Sequence, residues 1–210
     1  MARGRPRTFD RDAALTAAVR LFWERGYEAT SVSDLTDAMG IRPASLYAAF
    51  GDKKALFKEA VEAYGRSPEG AFMSNALTEE PTAREAFARI LNEAAAIYPD
   101  PSHPAGCLTI SAATNVTPQD AEMETFLRDL RNTNLKRFET RLRQAQSAGE
   151  LPATANPKAL AHYFAAVIQG MSQQARDGAP QETLTQIATQ AMHTWPPPTR
   201  PAVDTSPSST

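Results

Sequence analysis

Residues 30–57 read TSVSDLTDAMGIRPASLYAAFGDKKALF, and the spacing inside this stretch decides the fold. Ser31 with Asp34 three residues on is a capping-box pattern, with Asp in place of the longer Glu. Val32, Leu35 and Met39 follow at helical spacing, and Gly40 closes a short helix. A glycine there admits a positive φ and so a sharp change of direction. Arg42-Pro43 restarts a helix, because proline in a first turn lacks an N–H that had no intrahelical partner anyway. Leu46 and Phe50, one turn apart, are its inward residues. Gly51-Asp52 then opens a further helix carrying Leu56, Phe57, Ala60 and Tyr64. Two short helices joined at Met39-Gly40-Ile41 leave one face of the second free, namely Arg42, Ala44, Ser45, Tyr47 and Ala48. Small residues let such a face approach base edges, and Ser and Tyr hydroxyls reach phosphates. A helix-turn-helix presents its recognition helix to the major groove in this way.

Outward from this stretch, the same reasoning predicts an all-α chain, since alternating β-branched runs are scarce. Asp10 caps a first helix carrying Leu15, Ala18, Leu21 and Phe22, ended near Gly26. A body begins after the Gly65–Pro68 break. Residues 82–98 read as a helix, 99–104 (Pro-Asp-Pro-Ser-His-Pro) as a loop, and 106–116 as an apolar stretch of small residues. A long helix is expected over 118–148, another from the Asn156-Pro157 cap to Gly178, and a last one from Pro180 to Trp195. The Pro/Ser/Thr-rich residues 196–210 have little to bury and read as a disordered tail.

The matching pieces Thr30-Ser31-Val32, Asp34-Leu35, Gly40-Ile41, Ser45-Leu46-Tyr47, Phe50, Lys53 and Ala55-Leu56-Phe57 resemble the DNA-binding head of the TetR/AcrR family of bacterial repressors. The likeness is close over residues 9–60. Beyond them it rests on helix order and on the weaker segment Gly106-Cys107-Leu108. It implies that Ser31 and Ser33 meet phosphate at the start of the supporting helix. It also implies that Arg42, Ala44, Ser45 and Tyr47 lie on the groove side, with Lys53 on the phosphate backbone. One departure stands out. The family often has a small hydroxyl residue at position 42, as a helix cap. Arginine cannot accept that hydrogen bond, which leaves it to read a guanine or to neutralise a phosphate.

The resemblance further implies a dimer bound to double-stranded operator DNA, most often as a repressor, released by a small molecule of unknown identity. An activator of the same fold, or a helical protein-binding adaptor without DNA activity, are the alternatives. The expected division is a head with a basic arm over 1–50, a connecting helix over 51–66, a ligand-binding and dimerisation body over 67–195, and the tail. The last two helices, within 157–195, carry more apolar and small residues than one core needs, which points to a homodimer. Gly170 inside the first of them costs roughly 1 kcal/mol against alanine; a close helix crossing or simple laxity would account for it. Phe72, Phe87, Tyr98, Met123, Phe126, Tyr163, Phe164 and Met171 are candidates to line an apolar pocket, though each also reads as plain core. Cys107 joins them. It reads as a buried inert thiol or as a sensor, and its apolar segment has no nearby cation to hold a thiolate.

Composition sets the remaining bounds. The 210 residues are 42% hydrophobic and 22% charged, ordinary for a globular chain. Net charge is −2, but residues 1–66 carry 11 basic and 9 acidic side chains while the remainder carries 11 and 15. Arg3, Arg5 and Arg7 open the chain with no acid among them, so this arm is drawn to a polyanion or is merely a solvated terminus. A single cysteine excludes an intrachain disulfide. No apolar run approaches a membrane span and no signal-peptide core is visible, so a soluble cytoplasmic protein is expected. The three histidines, His103, His162 and His193, form no metalloprotease motif, and no phosphate-cradling GxxxxGK or GxGxxG is present. His103 and Cys107 are four apart, but prolines deny them a common helical face, and two ligands make no zinc site. No enzyme, cofactor or metal is expected.

Overall fold

The computed structural model describes residues 9–112 and 116–197. Among them it holds ten α-helices, one 3-10 turn and no strand. The head consists of α1 (Arg11–Arg25), α2 (Val32–Met39) and α3 (Pro43–Phe50), and α4 (Lys53–Arg66) leads out of it. The body contains α5 (Pro68–Glu79), α6 (Ala83–Ile97), the single turn α7 (Leu108–Ser111), α8 (Ala121–Ser147), α9 (Pro157–Arg176) and α10 (Gln181–His193). The basic arm with Arg3, Arg5 and Arg7 lies outside the described residues, as does the tail from 198 onward.

Helix starts follow local chemistry. Asp10 accepts from the amides of Asp12 and Ala13, Asp52 from Ala55, and Asn156 from Ala159. Thr82 and Glu85 close a full capping box ahead of α6. Gly26 ends α1 at φ 81° and Gly40 ends α2 at φ 63°, where a side chain would be strained.

Two elements differ from the expectation. Helix α5 has no counterpart in the pattern reading, where Gly65–Pro68 is only a break. Pro68 in fact sits in the first turn of α5. Gly70, which looks like a helix breaker, is there for space: a Cβ on it would lie 1.9 Å from the Tyr64 carbonyl oxygen. The long helix expected from 118 begins at Ala121, after a 3-10 turn over Pro118–Asp120. Asp120 leaves the helical conformation (φ −112°, ψ 18°) and places its carboxylate on Lys54, 3.0 Å away.

One continuous core runs through head and body. In the head, Phe22 and Tyr27 both pack edge-on against Phe57 of α4, with ring centroids 5.0 Å apart. In the body, Phe87 meets Phe138 at 5.0 Å and Phe164 at 4.8 Å, with Trp195 at 5.8 Å from both Phe87 and Phe164. Between them Trp23 of α1 packs edge-on against Tyr64 of α4 at 4.8 Å and stacks on His103 at 4.6 Å. Helix α4 therefore has its first half in the head and its last turn in the body.

Candidate nucleic-acid interface

Helices α2 and α3 meet through a turn that is closed on itself. The Gly40 amide donates to Asp37 O (3.2 Å) and the Ile41 amide to Thr36 O (3.0 Å). Leu35, Met39, Leu46 and Phe50 are buried beneath. This leaves Arg42, Pro43, Ala44, Tyr47 and Ala48 exposed on α3, with Ser45 half-buried at the edge of the face. Tyr47 is 52% exposed, the most exposed large hydrophobic side chain among the described residues. Arg42 occupies the N-cap position of α3 with no side-chain capping bond, and its guanidinium makes no ion pair or hydrogen bond among the described residues.

The supporting helix is fixed at its start. The Asp34 amide donates to Ser31 Oγ (3.1 Å), and the Ser31 amide and hydroxyl both donate to the Asp34 carboxylate. These bonds from Ser31, with Arg25 at 3.3 Å, hold the Asp34 carboxyl below the usual carboxylate range. The Ser31 hydroxyl proton is thus committed within the protein, whereas the exposed Ser33 hydroxyl has no partner among the described residues. The first-turn amides of α2 left without intrahelical partners suit a phosphate.

Lys53 opens α4, but its ammonium is laid over the Tyr27 ring, 4.2 Å from the centroid. Burial there lowers its pKa, while Asp120, Glu28 and Asp34 oppose the shift. Most other cations of the head are engaged. Arg11 forms a two-pronged bond to Glu59 (2.6 and 2.7 Å) and stacks on Phe50. Lys54 pairs with Asp120, and Lys58 with Glu122 at 2.5 Å. The Tyr27 hydroxyl donates to Asp120 as well (3.4 Å). Tyr27 is the functional neighbour that sequence reading missed. It lies 26 positions from the lysine it carries, and no local pattern signals such a pairing.

Below the head, a cavity of about 440 Å³ opens between α4, α5 and α8. Val61, Met73, Phe126 and Leu130 give it apolar walls, and Tyr64 and Cys107 border its inner end. Cys107 is 1% exposed. Its sulfur accepts from the Tyr64 hydroxyl at 3.4 Å and shares a hydrogen bond with Thr109 Oγ1 at 3.2 Å. Of the residues expected to line a pocket, Cys107 and Phe126 border this cavity. The others do not reach it. Phe87 and Phe164 belong to the aromatic cluster on α6 and α9, and Phe72 packs edge-on against Tyr98 at 6.0 Å. Met123 and Met171 are buried in the core, and Tyr163 faces outward at 37% exposure. Residue type and helical spacing suggest apolar lining, but say nothing about whether a void lies beside a given side chain.

Comparison with known proteins agrees with this geometry. Residues 14–60 match the model of the bacterial regulatory proteins, tetR family, and residues 83–192 match the tetracyclin repressor-like C-terminal domain. The HTH-type transcriptional repressor ComR of Escherichia coli (strain K12) is 36% identical over 195 residues, 93% of each chain. The HTH-type transcriptional repressor BdcR of the same strain is 32% identical over 189 residues, 90% of this chain and 89% of its own. Among solved structures, a cysteine mutant of the TetR family transcriptional regulator CifR, complexed with 26bp double-strand operator DNA, superposes with a TM-score of 0.88. It is 40% identical and covers 92% of this chain and 100% of its own. A helix-turn-helix in a three-helix head and a helical body that shares its core thus coincide with matches across both halves: the chain belongs to the TetR family of helix-turn-helix transcriptional regulators, a family of DNA-binding proteins and not of enzymes.

Proposed function

We propose that the chain is a repressor that seats the exposed face of α3 in the major groove of a palindrome-like operator, as a two-fold dimer, and that a small molecule in the body releases it. The observation that carries this reading is the α3 face itself, an exposed tyrosine and an unpaired arginine flanking Ala44 and Ala48 on a helix locked by its turn. Binding of operator DNA by the CifR mutant supports it. In this reading residues 1–50 read DNA, 51–66 transmit, and 67–195 bind ligand and partner. A repressor that acts on chromosomal DNA would act in the cytoplasm. No helix among the described residues is long and apolar enough to cross a membrane.

The dimer face is the outer side of α9 and α10. No Asp, Glu, Lys or Arg occurs over 159–175 or 183–193, yet His162, Tyr163, Ala166, Gly170, Thr185 and Thr189 are exposed there. Gly170 has nothing within 4 Å of where a Cβ would stand, so packing within the protomer gives no reason for a glycine. A crossing with the partner's α9 does. Two-fold symmetry then sets the two α3 helices about one helical turn of DNA or somewhat more apart.

Fluorescence anisotropy with duplexes taken from the chain's own promoter tests the reading. The wild type should select one duplex over scrambled DNA. Arg42→Ala and Tyr47→Ala should each weaken that binding by about 1–3 kcal/mol where the side chain reads a base. If Arg42 meets only a phosphate, its removal lowers the salt slope by about one instead. Unchanged affinity in both variants, or a monomer in sedimentation at micromolar concentration, overturns the proposal.

A further inference from the structure

The cavity between α4, α5 and α8 does not end at Leu130. Ser74, Thr133 and Arg137 border it and also border a second hollow, an open groove of about 470 Å³ that continues between α5 and α8. The two hollows differ in character. The cavity has its apolar wall on Val61, Met73, Phe126 and Leu130, with polar side chains, Asn134 and Thr133 among them, toward the groove. The groove is walled by Lys136, Arg137 and Arg141 with the hydroxyls of Thr78, Thr133 and Thr140, and contains no carboxylate. Glu62, on the α4 wall, is the one acidic residue bordering the cavity.

The cations are out of keeping with their surroundings. Residues 67–210 carry four more acids than bases, yet these three bases gather on one stripe of α8. Arg137 and Arg141 stand four apart, where like charges destabilise a helix. Elsewhere on α8 the bases are satisfied: Arg143 pairs with Glu139, Arg131 donates to Thr109 O and Arg128 to Thr125. Lys136 and Arg137 make no hydrogen bond or ion pair among the described residues. Arg141 reaches only backbone oxygens, those of Glu80 and Pro81.

We infer that the body binds an amphipathic organic anion, its apolar part in the cavity against Met73, Phe126 and Leu130 and its acidic group in the groove on Lys136 and Arg137. A cavity of this volume falls in the range of small-molecule sites. The sequence of surfaces along α8, apolar and then cationic, fixes the ligand's polarity and its direction. The acidic group points away from Glu62. The guanidinium of Arg137 offers a carboxylate two parallel donors. This inference rests on the reading that the body accepts a small molecule, and the test separates the two.

The probes are decanoate, decanol and decyltrimethylammonium, which share a tail and differ in head charge, each used below its micelle-forming concentration. Calorimetry on the full-length protein should show one decanoate per protomer, bound at least tenfold more tightly than decanol, with the cation weakest. Lys136→Gln with Arg137→Gln should remove the tenfold preference and leave decanol binding unchanged; both side chains are exposed, so folding is preserved. Phe126→Trp should weaken both decanoate and decanol. Equal affinity for decanol and decanoate, no decanoate binding, or a preference that survives the double substitution each overturn the anion site. Operator affinity is read in parallel. Decanoate that binds through Lys136 and Arg137 without loosening DNA upholds the site and sinks the effector reading, whereas release of DNA by an uncharged compound, with decanoate inert, does the reverse.

Discussion

Arg176, in the last turn of α9, donates to the carbonyl oxygens of Trp23 and Glu24 at the end of α1, both at 3.2 Å. These residues are more than 150 positions apart, and they join the proposed dimer helix to the head. The final carbonyls of α1 lack helical partners, and a cation there also meets the negative end of the helix dipole. The same α9 turn anchors the segment before α7. Ser172 Oγ accepts from the Cys107 amide at 2.9 Å, and a Cβ on Gly106 would lie 2.8 Å from Ser172 O. Arg176→Ala should lower stability by about 1 kcal/mol, read by urea unfolding. Arg176→Lys should recover only part, because a point charge cannot serve two carbonyls as a planar fork does. Full recovery by lysine would show that charge alone matters.

Two glycines inside helices should respond to alanine in opposite ways. At Gly70 the new Cβ meets the Tyr64 carbonyl at 1.9 Å, and backbone cannot step aside cheaply. Gly70→Ala should destabilise the fold by at least about 2 kcal/mol and open the α4–α5 corner. At Gly170 the added methyl group meets nothing in the protomer. Gly170→Ala should therefore raise helix stability by about 1 kcal/mol while weakening the dimer, whose crossing it fills. Thermal melting and sedimentation equilibrium separate these effects. A Gly170→Ala protein that is both more stable and equally dimeric removes Gly170 from the interface.

The capping box of α2 should make part of the head's stability acid-sensitive. Asp34 has its carboxyl lowered from 3.8, chiefly by the Ser31 hydroxyl and then the Ser31 amide. A group depressed on folding contributes fully above its unfolded value and is lost as pH falls through its folded value. The stability difference between wild type and Asp34→Ala should thus be constant above about pH 5 and shrink below pH 3.8. The carboxylate is exposed, so added salt should narrow the difference too. A gap that stays the same down to pH 2.5 would assign the effect to something other than the ionised box.

The head was legible in sequence because its devices are local. The Ser31–Asp34 box, the turn at Gly40 and the proline start at Pro43 each act within four residues, and the structure shows each in place. The contacts between remote segments were not legible for the converse reason. Lys53 resting on Tyr27, Asp120 reaching Lys54 and Arg176 capping α1 all depend on packing between distant segments. Helix α5 was hidden because Gly70 answers to the Tyr64 carbonyl, not to helix propensity. The cavity was half legible: Phe126 and Phe87 are alike candidates for a pocket wall in sequence, and only the packing shows that one borders a void and the other fills a cluster.

The contact between α4 and the start of α8 should be the element that couples cavity to DNA. Asp120 accepts from Lys54 (3.0 Å) and from the Tyr27 hydroxyl (3.4 Å), and Glu122 pairs with Lys58. Phe126, one turn further along α8, borders the cavity, and the Lys58 ammonium stands 5.9 Å from its ring centre. A ligand that displaces Phe126 therefore displaces the α8 turn that grips α4 and Tyr27. Tyr27 in turn carries Lys53, the first residue of α4. A ligand shifts such an equilibrium only by its differential affinity for the two arrangements, and about 3 kcal/mol of coupling gives a roughly 100-fold loss of DNA affinity. Asp120→Asn keeps the shape but removes the charge held by Lys54. As a partly exposed pair it should cost at most about 1 kcal/mol of stability and leave ligand affinity unchanged. The ratio of operator affinities without and with ligand should fall several-fold, because α8 can then move without dragging α4. Anisotropy titrations at fixed ligand saturation measure that ratio directly. A ratio equal to that of the wild type would mean that the signal bypasses Asp120 and travels through the last turn of α4, where Tyr64 meets Trp23.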